Sequence, residues 1–315
     1  MHRFDFILSC AAAIALSLPL TSCHTNSKAL TIHSDSSFLT TNNQITLKKT
    51  SGYVPVPNNG KLYYEEMGEG TPVILLHGHT LDHRMWLPQL PVLCGSYRVI
   101  TPDLRGYGLS SKQGENIQFT HTDDVIAFMN HLNIQKAHII GLSMGSFIAS
   151  EMLALYPERF ITATLASGSI RKMPGPSTPF SEEEIAKANA TIEANKQKGV
   201  DVWKCEWIDQ LVKGGGSQAE NIRKAITEQI NEWDAWQLLH REGRIYYASE
   251  AMDTLKTKRP TIPTLIISGD MEHKGRNSML PYLPNGRQVV ILDCGHMSNM
   301  ERPKEFNELI LEHLK

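Results

Sequence analysis

Residues 136–157 read KAHIIGLSMGSFIASEMLALYP, and this stretch decides the architecture. An apolar run from Lys136 to Gly141 leads into Gly141-Leu142-Ser143-Met144-Gly145, and an amphipathic run follows. The order is strand, tight turn, helix. Phe147, Ile148, Met152 and Leu155 share one helical face, and Pro157 ends the helix because proline has no N–H to continue it. The pattern G-x-S-x-G alone arises by chance in about one chain of this size in ten at ordinary Gly and Ser frequencies. Its position between a strand and a helix gives it meaning. The glycines let the chain turn sharply enough to hold the serine at the sheet edge. The helix then points its N-terminal amides and dipole at whatever negative charge develops there.

Outward from this turn, short apolar runs recur at Leu62 to Glu66, Pro72 to Leu76, Tyr97 to Pro102, Ile161 to Ala166, Thr264 to Ser268 and Gln288 to Leu292. They alternate with helical patterns such as Thr122 to Leu132, whose Val125, Ile126, Met129 and Leu132 keep a 3/4 spacing. Near-continuous Val/Ile/Leu runs imply strands covered on both faces. The expected fold is therefore α/β, a mostly parallel sheet of about eight strands with helices on both faces. Between Arg171 and Arg259 the strand rhythm stops. Ser181 with Glu184 is a capping-box signature. Trp203, Trp207 and Leu211 keep i, i+4, i+8 spacing up to Gly214-Gly215-Gly216, and Ile222, Ile226, Ile230 and Trp233 form another stripe. Residues 171–259 thus read as a helical cap over the sheet's C-terminal edge, inserted between core segments 45–170 and 260–315.

The composition is that of an ordinary globular protein, 41% hydrophobic and 20% charged over 315 residues. A net charge of −2 without a basic block excludes a nucleic-acid footprint. The apolar run Ile7 to Leu20 is shorter than the roughly 20 residues needed to cross a bilayer, so residues 1–22 read as an export signal. Leu20-Thr21-Ser22-Cys23 resembles a bacterial lipobox, which implies acylation of Cys23 and a lipid anchor in a membrane of the cell envelope. His24 follows, where an inner-membrane retention signal has aspartate, so the outer membrane is favoured. Residues 23–44 are polar and read as a flexible tether. Cys94, Cys205 and Cys294 remain, an odd number with no zinc spacing, so neither a structural disulfide nor a metal site is expected.

A serine hydroxyl is a weak nucleophile until a base takes its proton. His296, in Cys294-Gly295-His296-Met297, follows the last strand and precedes the final helix, Lys304 to Leu314. That is where the order Ser, acid, His requires the base. An acid belongs after the strand ending at Ser268, where Gly269-Asp270-Met271-Glu272 offers two carboxylates.

From Gly52 to Lys315 the chain resembles the α/β-hydrolase superfamily of capped esterases and lactonases. Leu75-Leu76-His77-Gly78 resembles that family's oxyanion loop, and Pro102-Asp103-Leu104-Arg105-Gly106-Tyr107-Gly108 its strand-four turn. Gly295-His296 with Glu301-Arg302-Pro303 resembles its histidine loop. The resemblance implies Glu272 as the acid, with Asp270 the alternative, and the backbone N–H groups of His79 and Met144 as oxyanion donors. Met297, adjacent to the base, and Trp86, an aromatic that could line an apolar acyl pocket, are candidates for the substrate pocket, and no metal or cofactor is expected. Ser146 stands where the family often has glycine, and His79-Thr80 where many lipases have a Gly-Gly run. An aspartate at position 143 would imply haloalkane or epoxide chemistry; serine implies acyl transfer. The expected function is cleavage of an ester or related acyl bond of a small molecule through an acyl-enzyme. Alternatives with the same triad are a lactonase, an amidase, a C–C bond hydrolase or a cofactor-free perhydrolase. A non-catalytic surface binding protein on the same fold is the rival outside the enzymes.

Overall fold

The computed structural model describes residues 49–112, 114–115, 117–170, 181–244, 247–272 and 277–315. Cys23, the expected signal segment and the expected tether lie outside the described residues. Eight strands form one sheet: β1 (Lys49–Val56), β2 (Gly60–Met67), β3 (Thr71–Leu76), β4 (Tyr97–Pro102), β5 (Ala137–Leu142), β6 (Phe160–Ala166), β7 (Thr264–Gly269) and β8 (Gly286–Ile291). Their spatial order is β1-β2-β4-β3-β5-β6-β7-β8. β1, β2 and β4 pair antiparallel, whereas β4 through β8 are parallel. After β3 the chain moves outward to β4, and after β5 it moves the other way to β6. The crevice between the C-terminal ends of β3 and β5 is therefore the switch point, where ligands bind in such sheets.

The helices are α1 (Leu90–Leu93), α2 (His121–His131), α3 (Met144–Leu155), α4 (Glu182–Lys198), α5 (Val200–Lys213), α6 (Ala219–Glu232), α7 (Trp236–Leu239), α8 (Ala248–Lys258), α9 (Ser298–Glu301) and α10 (Pro303–His313). Local chemistry sets their ends. Thr120 caps α2 by accepting the Asp123 N–H at 2.9 Å. Ser181 and Glu184 make the expected capping box at the start of α4. Pro303 opens α10, which buries Phe306 and Ile310 against the core.

β1 was not legible as a strand, because it lies at the sheet edge, contains Gly52 and Pro55, and buries only Val54 and Val56. Pro55 is tolerated there because an edge strand needs only one row of hydrogen bonds. In addition, α8 falls inside the expected cap span but packs on α3, the helix that follows Ser143. Helices α4 to α7 pack on one another.

Buried charges tie the core to the switch point. Arg105 and Asp124, 0% and 1% exposed, form a two-pronged ion pair at 2.7 and 2.6 Å, and Arg105 also donates to the Pro57 carbonyl at 2.6 Å. Losing either partner would strand a charge without water. On α3, Glu151 accepts the Thr122 hydroxyl at 2.7 Å. Burial, with Asp123 and Glu250 close by, pushes its carboxyl up to about 7. A raised carboxyl contributes stability that is complete below the unfolded value of 4.5 and is lost as pH rises through about 7. Glu151→Gln should remove a pH-dependent loss of about 3 kcal/mol between these limits. Melting curves of the two proteins at pH 4.5 and pH 8 check this; an identical pH dependence would refute it.

Candidate active site

Ser143 ends β5 at φ 54° and ψ −112°, a left-handed conformation that costs a residue with a Cβ free energy. The turn is held from both sides. Ser143 N–H donates to the Ala166 carbonyl at 2.9 Å, and its own carbonyl accepts from Phe147 at 3.0 Å. A Cβ on Gly145 would lie 2.0 Å from the Leu76 carbonyl oxygen, and one on Gly141 would lie 2.2 Å from the Gly145 carbonyl oxygen. Both glycines are therefore required by backbone packed against backbone. Ser146, the departure noted above, donates to the Gly168 carbonyl at 3.0 Å and so braces the same turn.

Gly78 faces the serine across the switch point; a Cβ built on it would come within 3.5 Å of the Ser143 Cβ. The loop then turns tightly, with Leu81 donating to the Gly78 carbonyl at 3.4 Å and Thr80 at φ 67°. His79 is the next residue after Gly78, and Met144 is the first residue of α3, where backbone N–H groups have no carbonyl within the helix to bond. Both positions flank the Ser143 turn. His77 stitches the floor: its Nδ1 donates to the Gly78 carbonyl at 2.8 Å and its Nε2 accepts from Leu104 at 2.9 Å. Burial holds this imidazole below its usual range, as the accepting Nε2 requires.

Glu272, past the end of β7, hydrogen-bonds His296 Nδ1 through its Oε1. Both are partly open to solvent, with side-chain exposures of 22% and 17%. Asp270 does something else: its Oδ1 accepts the Cys294 N–H at 3.1 Å, and the backbone amides around it hold its carboxyl below the usual range. Of the two carboxylates, only Glu272 reaches the imidazole among the contacts described. Ser143, Glu272 and His296 stand after β5, β7 and β8, parallel strands whose C-terminal ends share one edge of the sheet.

The pocket candidates separate. Met297, 3% exposed, directly follows His296 and caps α9. Trp86 is fully buried and lies against Phe306, 6.3 Å between ring centres, so it belongs to the core under α10 and is corrected from pocket wall to packing. Other residues surround the switch point. His79 Nδ1 and the Tyr107 hydroxyl share a hydrogen bond at 2.7 Å, and the Trp233 ring packs edge-on to His79 at 5.2 Å. Burial first, then the Arg244 charge, holds His79 down at about 3, so its imidazole is neutral. Trp207 donates to the Thr80 hydroxyl at 3.0 Å, and Arg244 donates to the Met144 sulfur at 3.3 Å. Tyr107 lies within the Pro102–Gly108 motif, whereas nothing in the sequence around Arg244 marks it. Elsewhere Asp82, His83 and Asp103 bring ligand-type atoms within 4.8 Å of one another. There His83 donates to Asp103 at 2.8 Å. Burial alone would lower this histidine, but Asp103 and Glu65 outweigh it and push it up to about 10, so a bound proton already balances the carboxylates.

A doubly wound sheet that presents a strained serine at its switch point is the architecture of hydrolases with a nucleophile elbow. The chain belongs to the alpha/beta hydrolase fold family, which matches residues 71–303. Bifunctional epoxide hydrolase 2 of Sus scrofa is 25% identical over 308 residues, covering 84% of this chain and 55% of that protein, so the chain spans about half the length of this relative. 3-Oxoadipate enol-lactonase 1 of Acinetobacter baylyi is 26% identical over 252 residues, covering 78% of this chain and 90% of that one. A thermophilic esterase from Thermogutta terrifontis has a structure similar to this one with a TM-score of 0.67 at 26% identity, over 84% of this chain and 98% of that chain.

Proposed function

We propose that this protein is a serine hydrolase that cleaves an ester or related acyl bond of a small molecule by two-step acyl transfer. The observation that carries the reading is the Glu272–His296 hydrogen bond at the same sheet edge as the strained Ser143. Ser143 Oγ attacks the carbonyl carbon while His296 Nε2 takes its proton. Glu272 holds the imidazole through Nδ1 and stabilises its cation. The N–H groups of His79 and Met144 hold the oxyanion, aided by the positive end of α3. His296 then gives the proton to the leaving group. In the second step it activates a water that releases the acid and restores Ser143. Serine at position 143, in place of aspartate, favours acyl transfer over the epoxide chemistry named for the porcine relative.

A lactone is a cyclic ester, so the enol-lactonase relative supports a second substrate class for the same machinery. The proposal includes anchoring through an acylated Cys23, which rests on Leu20-Thr21-Ser22-Cys23 alone. The test is covalent labelling of the full chain with a fluorophosphonate, followed by peptide mass spectrometry. A single adduct on Ser143 is expected. A folded chain that takes no label would abandon the enzyme reading for a binding protein on the same fold.

A further inference from the structure

The base loop and the cap are joined at a point outside the proposed triad. Glu301, the last residue of α9, is 3% exposed, and its Oε1 accepts two backbone N–H groups. One belongs to Gly216 in the cap, at 2.7 Å; the other to Gly295, the residue before His296, at 2.8 Å. A single carboxylate oxygen thus spans two segments about 80 residues apart in sequence. The segments also lie backbone against backbone. A Cβ on Gly295 would come within 2.5 Å of the Gly215 Cα, and one on Gly216 within 2.0 Å of the Asp293 carbonyl oxygen. No side chain fits between them. A second, more exposed contact lies alongside: Asp293 accepts the Ser217 N–H at 2.7 Å and also pairs with Arg302, which donates to the Asp293 carbonyl at 3.0 Å.

We infer that Glu301 is a positioning residue, which docks the cap's glycine loop onto the base loop and thereby sets where His296 stands. The inference rests on the serine-hydrolase reading above. His296 sits on a short irregular segment between β8 and α9, so the strands do not fix it directly. Its neighbour Gly295 is held from one side by Glu301 and from the other by the glycine run that closes α5. Seating the cap and orienting the base are then one event. The run Gly214-Gly215-Gly216 is needed for close approach and is not merely a loose linker.

The experiment uses the full chain, with hydrolysis of 4-nitrophenyl butyrate and the rate of fluorophosphonate labelling of Ser143 as readouts. Glu301→Ala should lower kcat by about 10–100-fold, the scale of a misplacement near 1 Å, while KM changes far less. Glu301→Gln keeps an acceptor for both N–H groups and should recover most of that loss. Gly216→Ala alters no side chain of the base loop, but its Cβ lifts the cap loop away from Asp293 and draws the Gly216 N–H off Glu301; kcat should fall here too. The Gly216→Ala, Glu301→Ala double variant should lose less than the sum of the two, because both break one junction. A purely structural Glu301 would instead lower the melting temperature and leave kcat at the wild-type value, which overturns the inference. If Glu301→Ala does not fold, Glu301→Gln and Gly216→Ala decide: wild-type kcat in Gly216→Ala overturns it. An unlabelled wild type would sink the serine-hydrolase reading itself, whereas a labelled wild type with an equally reactive Glu301→Ala sinks only the positioning role.

Discussion

Alanine at position 143 should reduce turnover of an activated ester by about 10⁴–10⁶-fold while leaving the fold unchanged. The reason is geometric. Ser143 owes its position to a φ of 54° that nothing in its own side chain stabilises; the neighbouring hydrogen bonds and the Gly141 and Gly145 contacts impose it. Removing Oγ therefore deletes the nucleophile without relaxing the turn. His296→Ala should cost a similar factor, and the double variant little more, because a nucleophile without its base is almost as inert as no nucleophile. Residual turnover above the water rate should persist, supplied by the His79 and Met144 amides. Steady-state kinetics on the two single variants and the double variant, with circular dichroism as the control for folding, measures all of this. Additive losses in the double variant would show that the two side chains do not act as a unit.

Alanine at Glu272 should lower kcat by about 10³–10⁴-fold, whereas alanine at Asp270 should leave kcat within about tenfold of wild type. The contrast follows from what each carboxylate touches. Glu272 holds Nδ1 of His296, the proposed base, so its loss should free the imidazole to rotate and remove the charge that would stabilise its cation. Asp270 accepts backbone N–H groups, that of Cys294 foremost, so its loss is felt first as stability. Glu272→Asp should restore part of the rate, since the hydrogen bond can be remade over a shorter reach. Equal losses in the two alanine variants would mean that the acid role is shared, and a larger loss in Asp270→Ala would transfer it.

The order of these elements was legible because their residues are locally explicit. β3 to β7 are runs of Val, Ile and Leu between turn residues, which read the same way in any surroundings. The strand-turn-helix around Ser143 announces itself through two glycines, and the structure shows why each must be one. Glu272 over Asp270 was legible only through the resemblance, since two acids two residues apart have the same local chemistry. What escaped notice depends on distant partners. β1 counts as a strand only because β2 lies beside it, and Trp86 looks like a pocket aromatic until Phe306 is seen against it. The Arg244 contact with Met144 joins residues 100 apart, and Glu301 gains its partners from two separate loops. No window along the chain contains such information.

The five tryptophans are divided unevenly. Trp86 is sealed in the core, whereas Trp203, Trp207, Trp233 and Trp236 lie on or beside the helices of the insertion. Trp203 stacks on Trp207 and lies near Trp233, whose ring touches His79 beside the nucleophile turn. Indole emission from this chain is therefore dominated by the part that covers the crevice, with one sealed ring as an internal reference. Entry of a ligand beside His79 should shift the emission of the first group more than that of Trp86, which fluorescence during titration with an ester analogue would measure. Such a shift would serve as an optical gauge of this face of the crevice, readable without any dye attached.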